Sequence, residues 1–317
     1  MKLIIQIPCF NEEETIPAVI RDLPREVPGF DAVEFLVIDD GSTDRTAQVA
    51  ADLGVHHVLQ LGSNRGLAAA FGLGLARALE LGADVVINTD GDNQYPGEDI
   101  SKLARPILEG KADMVVGCRP IMTHPEFGWI KKLLQATGSW TLRRISRTDV
   151  RDAASGFRAF SRETCEKLFI HSKFSYCMES LIQAGNSGMR VASINVGVNP
   201  KTRDSRLFRS IPEYVAKSAG TMLSMFLLYQ PGRFFSFVAS FFLSVAFLLG
   251  ARFVYLVYLT PQSDPARTYL PSLIVMTLAC LTGILFLGMA VLGELLKAIR
   301  IVQQAQTFEI RRRIPRE

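Results

Sequence analysis

The 317-residue sequence predicts an α/β domain with a mostly parallel sheet, followed by a helical hairpin in a membrane. The first observation is the alternation, between residues 3 and 117, of short apolar runs with segments of helical length. This alternation is typical of parallel strands joined by right-handed helical crossovers. The second observation is the pair of long, uncharged apolar stretches in the last third of the chain. A hydrophobic content of 48% agrees with a membrane component in addition to a buried core.

Five apolar runs are predicted strands, and acidic or polar loops follow three of them. The strands are Leu3–Ile7, Val33–Ile38, Val55–Leu61, Ala83–Thr89 and Ala112–Gly117. Asn11 is expected to cap the first helix, and Thr43 or Asp44 the second. The loops are Pro8–Glu12, Asp39–Asp44 and Asp90–Gln94. Ligands bind at the carboxyl ends of strands in such sheets, so the three loops are expected to converge on one site.

The loop after the fourth strand carries the clearest chemical signal. Asp90 and Asp92 flank Gly91, so both carboxylates can reach one cation, and Gln94 adds a neutral oxygen. A small set of oxygen ligands that leaves coordination positions free suits Mg²⁺ or Mn²⁺ bridged to a phosphorylated substrate. An Asp-rich turn is the alternative. Asp39 is expected to accept hydrogen bonds from a nucleotide, and Asp40 to support its own loop.

Several protein classes are disfavoured by what the sequence lacks. Neither G-x-G-x-x-G nor G-x-x-x-x-G-K is present, which argues against a dinucleotide oxidoreductase and a P-loop phosphotransferase. The net charge of +4 gives no support for nucleic-acid binding. The five cysteines have no paired spacing, which favours a reduced compartment. Because no signal peptide opens the chain, the N-terminal part is expected to stay in the cytoplasm.

The last third predicts membrane association. Ile211–Tyr229 has the pattern of an interfacial amphipathic helix, and the uncharged stretches 234–251 and 269–293 are each long enough to span a bilayer. Arg252, late in the first span, is expected to reach an interface, a partner helix or a lipid phosphate. The tail is basic, so the positive-inside rule places it and the N-terminal domain in the cytoplasm. The predicted segments are 1–210, 211–232, 233–296 and 297–317.

Several motifs together resemble those of a known family. They are I-P-C-F-N-E-E (7–13), V-I-D-D-G-S-T-D (37–44), N-R-G-L (64–67), T-D-G-D-N-Q-Y-P (89–96) and A-S-G-F-R-A-F (154–160). The chain resembles family 2 glycosyltransferases of the Rossmann-like GT-A fold. With its hydrophobic C-terminus, it is most similar to the polyprenyl-phosphate group that includes dolichyl-phosphate mannose synthase. The resemblance implies transfer of a sugar from a UDP- or GDP-linked donor to a lipid phosphate, with inversion at the anomeric carbon.

The resemblance also implies roles for individual residues. The nucleotide would be bound by Pro8, Phe10, Glu12, Val37, Asp39, Asp90 and Gly91. The metal would be held by Asp90, Asp92 and Gln94, and catalysis would involve Asp90, Asp92, Asp152 and Arg119. Phe10 stands where the mannose synthases usually have Tyr, so the identity of the nucleotide stays open.

The acceptor phosphate is expected to be held by cations. The candidate cations are Arg119, Lys201, Arg203 and Arg206; the resemblance adds Ser155, and Glu179 is a weaker candidate on the acceptor side. A phosphate monoester is largely dianionic at neutral pH, so it needs little help from a general base. For Asp152 and Ser155 the alternative is a turn and a salt bridge. For the basic segment after Asn199 the alternative is contact with the membrane surface, and for a predicted basic helix Trp129–Ile145 it is a face exposed to solvent or to the membrane surface.

Other functions stay open at this point. The transferase could act on a hydroxyl acceptor in polysaccharide or glycolipid synthesis, although the Q-x-x-R-W segment usual in processive synthases is absent. A membrane-anchored nucleotide-sugar binder without activity is disfavoured because both metal carboxylates are present. The expected partners are the donor, the polyprenyl phosphate and the lipid bilayer of the cytoplasmic (inner) membrane. The sequence also permits a homo-oligomer formed through the transmembrane helices.

Overall fold

The computed structural model describes residues 1–120, 143, 146, 148–170, 176–200, 219–220, 223–224, 226–259 and 269–312. The predicted helix Trp129–Ile145 apart from Arg143, the cations Lys201, Arg203 and Arg206, and most of the predicted interfacial helix lie outside these residues. The chain divides into two compact units, Met1–Met222 with Gln304–Glu317, and Leu223–Gln303.

One sheet organises the described part of the first unit, with seven strands in the order β3-β2-β1-β4-β6-β5-β7. The strands are β1 Lys2–Cys9, β2 Ala32–Asp39, β3 His57–Gln60, β4 Val85–Asn88, β5 Met114–Cys118, β6 Arg158–Ser161 and β7 Val191–Asn195. Only β6 runs antiparallel to its neighbours, β4 and β5. The predicted mostly parallel sheet is therefore confirmed. The carboxyl ends of the other strands share one edge with the start of β6.

Helices cover both faces of this sheet. They are α1 Ile16–Asp22, α2 Thr46–Asp52, α3 Leu67–Glu80, α4 Ile100–Leu108, α5 Arg162–Lys167 and α6 Tyr176–Asn186. Helix α3 packs on β1 and β2, and α4 packs on β4, β5 and β6. The successive residues Ile4 and Ile5 of β1 are both fully buried, as expected for a central strand covered on both sides.

The structure corrects several predicted boundaries. Strand β1 continues through Pro8 to Cys9, because its pairing with β2 extends to Cys9 and Asp39. Helix α1 begins at Ile16 rather than after Asn11, and it has a proline in its first turn, where a missing N–H is tolerated. Helix α2 begins at Thr46, whose N–H donates to the Asp44 carboxylate at 3.0 Å. Strands β6 and β7 were not predicted.

The second unit contains one long apolar helix and most of another, whose last residues belong to the first unit. Helix α7, Pro231–Val254, continues as a π-helix over Tyr255–Leu259, and α8 spans Leu270–Arg312. Two segments, Pro231–Tyr258 and Leu270–Gln303, are long and apolar enough to cross a membrane. Only 11% of the most apolar stretch of the first segment and 17% of that of the second are buried, whereas the core helix of a soluble protein is mostly buried. The predicted boundary at residue 296 falls inside α8.

Candidate active site

Hydrogen bonds join the loops after β1 and β2 into one surface. Asn11 has a positive φ of 55°, and its N–H donates to the Ser42 hydroxyl at 2.9 Å. Its side-chain oxygen accepts from the N–H of Thr43 at 2.8 Å. The N–H of Glu12 donates to the Thr46 hydroxyl at 2.8 Å. The side chain expected to cap a helix therefore fastens two neighbouring loops together.

The loop after β4 packs tightly on this surface. A Cβ atom at Gly91 would lie 3.0 Å from Sγ of Cys9 and 3.4 Å from the carbonyl oxygen of Pro8. The Thr15 hydroxyl lies 2.6 Å from a carboxylate oxygen of Glu12 and 2.8 Å from the carbonyl oxygen of Gly91. The absence of a side chain at Gly91 thus allows the close approach that brings three predicted nucleotide-binding residues, Pro8, Glu12 and Gly91, together.

The two aspartates after β2 have different partners. Asp39 accepts a hydrogen bond from the N–H of Ser42 at 3.0 Å. Asp40 accepts from the N–H groups of Arg65 and Gly66 at 2.8 and 2.9 Å, so its role is structural, but it holds the loop after β3 rather than its own loop. A nucleotide contact of Asp39 stays a prediction.

Two other residues assigned to the nucleotide lie in contrasting environments. Val37 is fully buried in β2, so its side chain packs in the core and is not available to a ligand. A nucleotide contact of Val37 would therefore involve its backbone, and this contact stays a prediction. The Phe10 ring is 38% exposed at the end of β1, on the edge where the loops meet.

Asp90 and Asp92 form the electrostatic centre of the edge. Desolvation in the fold, followed by the charge of Asp92, raises the pKa of Asp90 to about 7, while Arg119 and Arg158 act in the opposite direction. A cation bound beside this carboxyl would act against the rise in its pKa and favour the ionised form. Asp92 accepts from the N–H of Gln94 at 3.1 Å, which orders the loop between them.

This donor set fits a hard divalent cation. Within the described ranges, no group of three or more His, Cys, Asp or Glu side chains forms a metal site. Two carboxylates and a nearby amide oxygen would leave coordination positions for the oxygens of a diphosphate. The amide oxygen of Gln94 accepts from Nη1 of Arg119 at 3.3 Å. The three predicted metal ligands, Asp90, Asp92 and Gln94, lie together in the loop after β4.

Arg119, directly after β5, forms a bidentate ion pair with Asp152. Its Nε and Nη2 donate to the two carboxylate oxygens of Asp152 at 2.7 and 3.1 Å. The Asp152 side chain is only 2% exposed and that of Arg119 is 18% exposed. The salt-bridge alternative for Asp152 is thus present. A contact of Arg119 with an acceptor phosphate, and a catalytic role for Asp152, stay predictions.

Ser155 lies inside the loop that precedes β6. Its side chain is fully buried, and its hydroxyl accepts from the N–H of Phe157 at 3.3 Å and lies 3.4 Å from the Tyr95 hydroxyl. The Tyr95 ring in turn stacks on Phe157 at 4.8 Å. The predicted phosphate contact of Ser155 would therefore require this loop to rearrange.

Arg158 is a functional candidate that the sequence reasoning missed. Its guanidinium is fully buried and donates to the carbonyl oxygens of Ala153, Ser155 and Cys177 at 2.7–2.8 Å and to the Ser180 hydroxyl at 2.9 Å. These hydrogen bonds connect the loop before β6 to α6. The positive charge of Arg158 also offsets part of the rise in the pKa of Asp90. The sequence feature that could have identified Arg158 is its position as a single arginine inside the otherwise apolar run F-R-A-F.

The chain after β7 returns to the same loop. The N–H and the side-chain amide of Asn199 donate to the carbonyl oxygens of Gln94 and Asn93 at 2.9 and 3.0 Å. The predicted phosphate-binding residues Lys201, Arg203 and Arg206 follow this anchor directly in sequence but lie outside the described residues. Glu179 lies on α6 with a fully buried side chain.

The sheet and its carboxylate pair define a glycosyltransferase of the GT-A type. A sequence model of glycosyl transferase family 2 matches residues 4–169, slightly more than half of the chain. The chain therefore belongs to glycosyl transferase family 2, as the motifs predicted.

Curated relatives agree with the predicted group. The chain is 29% identical to the polyprenol monophosphomannose synthase of Mycolicibacterium smegmatis, over 62% of this chain and 76% of that protein. It is 28% identical to the undecaprenyl-phosphate mannosyltransferase of Micrococcus luteus, over 62% and 83%. It is also 28% identical to the UDP-N-acetylglucosamine–dolichyl-phosphate N-acetylglucosaminyltransferase of Methanococcus voltae, over 60% and 82%. These names confirm the predicted resemblance to polyprenyl-phosphate glycosyltransferases.

Solved structures agree on the fold. Glucosyl-3-phosphoglycerate synthase from Mycobacterium tuberculosis, solved with Mn²⁺, UDP-glucose and phosphoglyceric acid, matches with a TM-score of 0.53 and 25% identity. The match covers 71% of this chain and 79% of that chain. The predicted GT-A architecture is therefore confirmed.

Proposed function

We propose that this glycosyltransferase moves one sugar from a UDP- or GDP-linked donor to a polyprenyl phosphate, with inversion, in a reaction that requires Mg²⁺ or Mn²⁺. The observation that carries the proposal is the meeting of Glu12, Asp39, Asp90 and Asp92 at one sheet edge. Clustered acids are costly unless cations or donors compensate them. The printed names of the relatives support a lipid-phosphate acceptor, and the Mn²⁺ complexes of the fold neighbour support a divalent cation.

The donor would occupy the edge formed by the loops after β1, β2 and β4. When bound, the cation neutralises charge that develops on the diphosphate as the sugar leaves. Asp90 and Asp92 would hold it, with the Gln94 amide oxygen close by. The hydrogen bonds of Asn11, Thr15 and Asp40 keep the surrounding loops fixed, so the carboxylates would not have to reorganise during the reaction.

The acceptor phosphate would approach from the side of β5 and β6. Asp152 is engaged by Arg119 in a bidentate pair, which suits a charged positioning pair better than a mobile general base. A phosphate acceptor fits this arrangement, because it is already largely ionised at neutral pH. Lys201, Arg203 and Arg206 are proposed to complete its cationic surroundings.

The long apolar helices would keep the enzyme where its acceptor is embedded. Both candidate spans are of sufficient length and apolar composition, and the basic tail favours a cytoplasmic position for the N-terminal domain and the C-terminus. We therefore place the enzyme in the cytoplasmic (inner) membrane, with the predicted segments 1–210, 211–232, 233–296 and 297–317. Self-association through the spans is compatible with this arrangement.

A donor panel tests the proposal. The detergent-solubilised full chain is incubated with labelled UDP- and GDP-sugars and a polyprenyl phosphate, and the lipid fraction is separated by thin-layer chromatography. The expected result is a labelled lipid with one nucleotide class, lost on addition of EDTA and restored by Mg²⁺ or Mn²⁺. Labelled polymer, or label transferred equally well to a lipid alcohol, would contradict it.

A further inference from the structure

Gly156 lies directly beside the Asp90 carboxylate, in the loop that precedes β6. A Cβ atom at Gly156 would lie 2.8 and 3.0 Å from the two carboxylate oxygens of Asp90, and 2.6 Å from the Tyr176 hydroxyl. Real Cβ atoms do not approach oxygen this closely, so any side chain at position 156 must displace a neighbour. Gly156 is not among the glycines with a positive φ, so the crowded space rather than the backbone conformation calls for glycine here.

The backbone of Gly156 is anchored on both sides. Its carbonyl oxygen accepts from the side-chain amide of Asn88 at 2.8 Å, and its N–H donates to the Tyr95 hydroxyl at 3.3 Å. Asn88 is itself fully buried and accepts from Gln6 at 2.9 Å. Asn88 and Gln6 belong to the central strands β4 and β1, and Tyr95 is a buried loop residue whose ring stacks on Phe157, so the loop is not free to retreat from an added side chain.

The Tyr176 side of the space is equally fixed. The Tyr176 ring is 1% exposed and stacks on Phe71 with a centroid separation of 4.0 Å. Its hydroxyl lies 3.0 Å from the side-chain amide nitrogen of Asn88. Asp90, in contrast, follows the end of β4 and is partly exposed. The Asp90 carboxylate is therefore the neighbour with the most freedom to move.

We propose that Gly156 is a positioning residue for Asp90, since its lack of a side chain provides the space in which the Asp90 carboxylate stays beside Asp92. A larger residue would push this carboxylate away from its partner and separate the two oxygen donors. The consequence for cation binding rests on the proposed function, whereas the packing of Asp90 against Gly156 does not.

A stability cycle tests the packing itself. Thermal unfolding is measured in one detergent for the full-length wild type, Gly156→Ala, Asp90→Ala and the double variant. Gly156→Ala should lower Tm by roughly 2–10 °C, as overpacking does. In the Asp90→Ala background the loss should be smaller, because the shortened side chain removes the carboxylate contacts at 2.8 and 3.0 Å and leaves only the contact with the Tyr176 hydroxyl. Equal losses in both backgrounds would overturn the proposal, as would failure to fold of both variants that carry Gly156→Ala.

Mn²⁺ binding tests the consequence for the site. Free Mn²⁺ is measured by electron paramagnetic resonance with the full chain and either UDP or GDP. Gly156→Ala should weaken binding about tenfold or more, as removal of groups that orient a metal ligand does. Gly72→Ala is the matched control, because its Cβ would lie at an ordinary 3.6 Å from Ile170, and it should bind as the wild type does. Unchanged Mn²⁺ affinity in Gly156→Ala would overturn the proposal. A wild type that binds no Mn²⁺ would instead contradict the proposed metal dependence, while the stability cycle would still decide the packing.

Discussion

Removal of the Arg119 guanidinium should destabilise the first unit strongly. Asp152 is almost fully buried, and Arg119 supplies two hydrogen bonds, at 2.7 and 3.1 Å, to its carboxylate. Removing one partner of a buried ion pair costs about 3–5 kcal/mol. For a domain of 150–250 residues this corresponds to a decrease in Tm of roughly 6–20 °C. Arg119→Ala is therefore expected to unfold well below the wild type.

A double-mutant cycle measures this interaction. The wild type, Arg119→Ala, Asp152→Ala and the double variant are unfolded thermally in the same detergent. The double variant should be more stable than the sum of the single losses predicts, by about 1–3 kcal/mol, because it leaves no unpaired charge. Arg105→Ala is the control, since its pair with Glu109 is at the surface and contributes little. Strictly additive losses, or single losses no larger than the control, would refute the reasoning.

Four further outcomes are expected. Asp92→Asn and EDTA should each abolish transfer; full activity in metal-free buffer would contradict this. In Arg119→Lys, assayed well below its Tm, transfer to lipid phosphate should fall more than hydrolysis of the nucleotide-sugar. The lysine ammonium cannot make the bidentate contact that a guanidinium makes with the acceptor phosphate, whereas hydrolysis uses water and needs no such contact. Equal losses of transfer and hydrolysis would assign Arg119 to the donor. Asp40→Ala should lower the free energy of unfolding by about 1–3 kcal/mol, since the N–H of Arg65 loses its acceptor and that of Gly66 keeps only the Asn64 side chain; an unchanged denaturation midpoint would contradict it. Removal of residues after about 232 should preserve nucleotide binding by calorimetry but impair turnover of membrane-embedded acceptor; undiminished turnover on long-chain polyprenyl phosphate would show that the anchor is dispensable.

Five strands could be predicted because their signal is local. Each predicted strand from β1 to β5 is an apolar run that coincides with a strand of the structure, and only its ends differ. Strand β6 has four residues, one of them the charged Arg158, so its sequence does not resemble a buried strand. Its antiparallel direction arises from pairing with β4 and β5, which are distant in sequence. Such non-local pairing leaves no periodic pattern to read.

The convergence of the site residues could be predicted once the strands β1 to β4 had been recognised as parallel. Parallel strands bring their carboxyl ends to one edge, so the loops containing Glu12, Asp39 and Asp90 had to be neighbours. The partners of the predicted residues were not predictable. Asp152 was recognised only by its motif, and its fork with Arg119, 33 residues away, depends on how β6 returns to the edge. The position of Gly156 against Asp90 depends on the same return.

The burial of individual side chains could not be predicted from the motifs either. The motif match assigned Val37 to the nucleotide and Ser155 to the acceptor phosphate, but the side chains of both are fully buried. Motif positions state which residue types recur, and they do not state which of them face the ligand. That distinction follows from the direction of each side chain in the folded sheet.

The most direct test of the account compares two acceptors that differ only in the phosphate. The full chain is given its preferred nucleotide-sugar with Mn²⁺ and either a polyprenyl phosphate or the polyprenol of the same length, and the lipid products are identified by mass spectrometry. The account predicts a single sugar added to the phosphate-bearing lipid, little product from the alcohol, and none from either lipid with Asp92→Asn. Equal product from the alcohol, or product that persists in Asp92→Asn without metal, would contradict it.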